Sequence, residues 1–68
     1  MFEYVKMKIV KQAENPHWLF RSFVGTDRLL NGRVIKHRDG TLGNHQIQHP
    51  NYSNWFDIPD NLVELINP

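Results

Sequence analysis

The 68 residues leave room for one small domain, and the absence of cysteine excludes disulfide bracing and any cysteine-ligated zinc. Residues 1–38 hold all eight Lys and Arg against Glu3, Glu14 and Asp27, a net of +5; residues 39–68 hold no Lys or Arg and four acids (Asp39, Asp57, Asp60, Glu64), a net of −4. No apolar run approaches the ~18–20 residues of a membrane span, and no basic-then-apolar leader opens the chain, so the reading is a soluble, cytoplasmic protein with no membrane partner.

Residues 4–11 alternate: Val5, Met7 and Ile9 interleave with Lys6 and Lys8. That is the pattern of a half-buried strand with a basic outer face. Asn15-Pro16 then breaks the chain. Residues 17–24, His-Trp-Leu-Phe-Arg-Ser-Phe-Val, are rich in aromatic and β-branched types and read as a second strand. Trp18, Phe20 and Val24 fall on one of its faces and Leu19, Arg21 and Phe23 on the other. Neither face is polar, which predicts cover on both sides, by the fold itself or by a partner.

Residues 33–38 and 41–48 flank Asp39-Gly40, the strongest hairpin signal in the chain. A two-residue type I′ turn there sets Arg38 opposite Thr41 and His37 opposite Leu42. Residues 49–54, His-Pro-Asn-Tyr-Ser-Asn, form a polar loop. The C-terminus admits two readings. Asp57 caps a helix whose stripe is Ile58, Leu62, Leu65 and Ile66, or a single turn at 59–62 leads into a short strand over 63–66. Pro68 stops either one.

The segment Ile58-Pro59-Asp60-Asn61-Leu62-Val63-Glu64-Leu65-Ile66, preceded by Trp55-Phe56, resembles the end of an SH3 domain. There a Pro-x-Asn-Tyr-Val stretch forms a 3₁₀ turn into the last strand. Pro59, Asn61 and Val63 match; Leu62 stands where the family carries its ligand-contacting tyrosine. The Ala-Leu-Tyr-Asp-Tyr pattern that opens such domains is missing. The resemblance covers about a dozen residues and implies an all-β, SH3-like small barrel of about five short strands. A single 3₁₀ turn lies near the C-terminus, and residues 1–68 form one domain. In such barrels the closing strand pairs with the first, which brings Glu64 close to Lys6 or Lys8. The charge split then admits two readings, internal complementarity or a partner-binding surface.

No catalytic, cofactor or metal site is expected. Neither Ser22 nor Ser53 sits in a nucleophile elbow, and Gly40-Thr-Leu-Gly43 is too short to cradle a phosphate. His17, His37, His45 and His49 lack the cysteine and acid neighbours of a metal set, so ordinary hydrogen-bonding histidines are the expectation.

Two binding functions remain. The first is a non-catalytic module contacting another protein, an adaptor or inhibitor, with self-association as one form. Without disulfides a chain this small leans on aromatics, aliphatics or a partner, and Trp, Tyr, Phe and Arg dominate interfaces. The residues assigned to that contact are Trp18, Arg21, Phe23, Arg38, Tyr52 and Trp55. Its size and style suit an accessory protein of a phage or mobile element. The alternative is a small nucleic-acid-binding barrel. It would use Lys6, Lys8, Lys11, Arg21, Arg28, Arg33, Lys36 and Arg38 for phosphate, with Trp18, Phe20, Phe23 and Tyr52 for stacking.

Overall fold

The computed structural model describes residues 1–66. The alternation at the N-terminus gives a strand, β1 (Phe2–Ile9), with Met7 and Ile9 buried, Val5 half-buried and Lys6 exposed on the other side. It begins and ends two residues earlier than the sequence suggests. Four more strands follow: β2 (Leu30–Lys36), β3 (Leu42–Gln48), β4 (Trp55–Ile58) and β5 (Val63–Ile66). All pair antiparallel in one sheet of order β4-β3-β2-β1-β5.

The all-β expectation therefore stands, and β5 lies beside β1 with Lys8 directly opposite Glu64. The expected closure does not: the sheet is open, and β4 and β5 are its two edges. The C-terminal ambiguity resolves to a turn and a strand. A 3₁₀ turn at Asp60–Leu62 follows Pro59, buries Leu62 and delivers the chain into β5. Pro68 lies outside the described residues. Among those residues no helix is long and apolar enough to cross a membrane.

Residues 17–24 are not a strand. They lie in the long β1–β2 connection and include a second 3₁₀ turn, Arg21–Phe23. Successive i→i+3 bonds coil the segment: Arg21 N–H donates to the Trp18 carbonyl, Phe23 to Phe20 and Val24 to Arg21. Coiling turns Trp18, Phe20 and Phe23 toward the same core, which strand alternation cannot do. Gly25 N–H donates to the Ile9 carbonyl at 3.1 Å and pins the connection to the end of β1.

The β2–β3 hairpin closes one residue away from the expected register. His37 N–H donates to the Thr41 carbonyl at 2.9 Å, and Lys36 pairs with Leu42. The loop thus has three residues, Arg38-Asp39-Gly40. Among the described residues no non-glycine has positive φ, so Asp39 does not adopt the left-handed geometry a type I′ turn requires; within the loop Gly40 does, at +87°. The Asp39 carboxylate holds the corner, accepting from the Thr41 N–H at 3.0 Å and the Thr41 hydroxyl at 2.6 Å.

One face of the sheet is a core. Met7, Ile9, Leu30, Val34, Ile47 and Ile58 are buried beneath Phe20 and Leu62. Gly32 lets β2 pass under Met7; a Cβ there would lie 2.6 Å from the Met7 thioether. The opposite face carries Phe2, Tyr4, Lys6 and Lys8 from β1, Asn31, Arg33 and Ile35 from β2, Gln46 and Gln48 from β3, and Trp55 and Asp57 from β4. No part of the long connection packs on it as Phe20 packs on the core.

Candidate binding face

The six residues assigned to binding do not form one surface: Trp18, Phe23 and Tyr52 border the same aromatic cluster around Phe20 and His49, whereas Arg38 and Trp55 lie apart from it. Trp18 and Phe23 are half-buried against the core. Arg21 is exposed and its guanidinium donates to the Trp18 carbonyl. Arg38 is at the tip of the hairpin, among exposed residues. Tyr52 stands half-exposed on the β3–β4 loop, edge-on to His49 (5.1 Å between ring centroids) and Phe56 (6.4 Å). Trp55 is on the outer face of the sheet, among residues that were not assigned to the site.

The inner aromatics form one cluster. Phe20, 2% exposed, meets the rings of Trp18, Phe23, His49 and Phe56 at 5.4–6.4 Å. His49 is buried in it, and the Asn51 N–H donates to its Nδ1 at 3.0 Å, which fixes Nδ1 as the acceptor nitrogen. Of the four rings expected to stack on nucleic acid, Phe20 is thus buried and Trp18 and Phe23 are half-buried.

On the outer face Arg33 is held between two rings. Its guanidinium carbon lies 4.0 Å from the centroid of Phe2 and 4.3 Å from that of Trp55. Its Nε donates to Gln46 Oε1 at 2.7 Å, and Gln46 Nε2 donates to Asp57 Oδ1 at 2.9 Å. Tyr4 stands beside Trp55 at 6.2 Å and remains 68% exposed. Beside this ring pair runs a groove of about 350 Å³, with Tyr4 and Trp55 as its wall and Lys6, Asn31, Gly32 and Gln48 along its floor. A second hollow shares Lys6, Asn31 and Gln48 and extends past Arg28 to Asn51 and Tyr52. Neither lining contains a carboxylate. The acids gather at the other ends of β3 and β4, where Asp57 and Asp60 line a separate hollow with Gly43, Asn44 and His45.

The ion pairs among the described residues are few. Lys8 approaches Asp27 at 3.9 Å and Lys36 approaches Glu3 at 3.5 Å, both at the surface, where such pairs contribute about 0–1 kcal/mol. Lys6 donates to Asn31 Oδ1 instead. The Asp39 carboxyl sits below its ordinary pKa because the Thr41 hydroxyl and then the Thr41 N–H donate to it.

Phe2 and Tyr4, which belong to this face, are absent from the residues that composition and spacing single out. The alternation that defines β1 continues two residues toward the N-terminus, setting Phe2 and Tyr4 on the lysine face. No protein-family model, curated protein or solved structure matches the chain.

Proposed function

We propose that the protein is a non-catalytic binding module that holds another protein against the outer face of its sheet, as an adaptor or inhibitor. The observation that carries this reading is the Arg33 guanidinium, stacked between Phe2 and Trp55 beside an exposed Tyr4. Arg, Trp and Tyr are the residue types that anchor interfaces, because they bring large contact area with little entropy to lose. The stacked rings have already ordered this Arg before any partner arrives.

We also propose an SH3-like origin for the chain. The 3₁₀ turn into β5 and the pairing of β5 with β1 support it; the open sheet departs from it. Leu62, at the position of the family's ligand tyrosine, is buried. The usual peptide groove of that family therefore lacks its key aromatic, which favours the outer face.

The test is selection from a random peptide library against the folded protein. Enriched peptides are expected to lose at least tenfold in affinity with Tyr4→Ala or Trp55→Ala, and to bind Arg38→Ala as they bind the parent. Absence of any enriched peptide, or equal binding by all three variants, overturns the reading.

A further inference from the structure

Given that reading of the outer face, we infer that its partner is presented as a short, extended, acidic segment, whose carboxylates meet Arg33 and Lys6 while its backbone lies in the groove beside the Tyr4–Trp55 ring pair.

Charge complementarity carries the argument. Among the described residues, ion pairs engage Lys8 and Lys36, and none engages Lys6, Arg28 or Arg33. Arg33 uses only Nε on a protein acceptor, Gln46. Its two terminal nitrogens are left to donate side by side, the fork that matches a carboxylate. On the groove floor the Asn31 amide, whose Oδ1 accepts from Lys6, keeps its Nδ2 to donate, and the Gln48 amide, whose Nε2 donates to the Ser53 carbonyl at 3.1 Å, keeps its Oε1 to accept, so an extended backbone finds one donor and one acceptor there. Arg28 lines the continuation of the same groove, so a second carboxylate further along the segment has a cation to meet.

The same geometry disfavours a nucleic acid strand. Stacking requires open aromatic faces. Arg33 lies over the rings of Phe2 and Trp55, and Arg28 lies over Phe23 at 5.5 Å, which leaves Tyr4 as an open platform without a second such ring beside it for a run of stacked bases. Tyr52 is engaged edge-on with two neighbours. The cationic patch is also bracketed: Asp57 lies beyond Gln46 on one side, and Glu64 stands opposite Lys8 on the other. A polyanion that continues past the patch meets those carboxylates, whereas a segment with two or three acids ends before them.

The experiment compares three fluorescent probes on the whole protein. They are an acidic hexapeptide alternating Asp or Glu with Leu or Tyr, its Asn/Gln counterpart, and a ten-nucleotide oligothymidylate, each measured at low and moderate salt. The acidic peptide is expected to bind at least tenfold tighter than its amide counterpart, and to weaken as salt rises. Arg33→Gln is expected to abolish that preference, and Lys6→Gln to reduce it severalfold. Arg33→Lys keeps the charge without the fork and is expected to lose several-fold, which guards against a folding defect in Arg33→Gln. Equal binding of acidic and amide peptides overturns the acidic segment while leaving the protein-binding face in place. Tighter binding of oligothymidylate than of the acidic peptide overturns it in favour of nucleic acid. No binding of either peptide, while library-selected peptides still depend on Tyr4, overturns the acidic class alone.

Discussion

The two faces of this sheet are built from the same five strands and obey opposite rules. The inner face is apolar and is covered by residues of its own chain, with Phe20 and Leu62 closing over Met7, Ile9, Val34 and Ile47. The outer face is also rich in aromatics, yet its rings stack on the Arg33 guanidinium or, as Tyr4 and Trp55, pair at the edge of solvent instead of being covered. Aromatic content alone therefore says nothing of burial. What separates the faces is whether a connection long enough to cover one exists, and the single long connection, residues 10–29, goes to the inner side.

That contrast can be broken most severely at Phe20. Phe20→Ala removes the ring on which four others converge, and it is expected to cost about 3–5 kcal/mol. In a domain this small that is much of the total stability. Urea denaturation should show the midpoint collapsing toward zero; a loss below about 1 kcal/mol would mean the connection does not cover the core. Gly32→Ala is next. Its new methyl meets the buried Met7 side chain, and overpacking of that kind costs about 1–3 kcal/mol. Asn31→Ala, one residue away on the other face, should change stability by no more than about 0.5 kcal/mol, so the pair measures the difference between the faces directly in thermal melts.

Tyr4→Ala sharpens the contrast from the outer side. With two-thirds of its surface in water, Tyr4 should contribute within about 0.5 kcal/mol to folding while mattering strongly for binding. A melting temperature that falls as far as in Gly32→Ala would make Tyr4 a structural residue.

The smallest effect is at the hairpin. The folded Asp39 carboxyl keeps its charge to lower pH than the unfolded chain does. Its contribution is therefore complete above the unfolded value of about 4 and is lost as pH falls through the folded one. Thr41 amide exchange should quicken as pH drops below about 4 in the parent, relative to its intrinsic rate, and show no such step in Asp39→Asn.

Much of this architecture was legible in the sequence where a local rule acts alone. Alternation over Val5, Met7 and Ile9 found β1, and Asp39-Gly40 found the hairpin. The register was missed by one because the two-residue turn assumes positive φ at both central residues, whereas Thr41 holds Asp39 in ordinary backbone. The segment 17–24 failed for a different reason. Its β-rich composition was real, but its lack of a polar face was the mark of a coiled cover, with burial decided by tertiary packing rather than by propensity. β4 has only four residues, too few for alternation to register, and exists because β3 offers it an edge. At the binding face Trp55 was found by residue type. Phe2, Tyr4 and Arg33 meet it only through strand pairing across β1–β4, which no spacing in the chain encodes.

The pairing of β5 with β1 has a mechanical consequence. Val63 lies opposite Ile9 and Ile66 opposite Lys6, so β1 enters and β5 leaves at the same end of the ladder. A load applied between Met1 and Ile66 would peel these strands apart one bond after another, like a zipper, instead of sliding them all at once. Such a tether yields at low force, and the first element to detach would be β5, the short strand that guards the edge of the core.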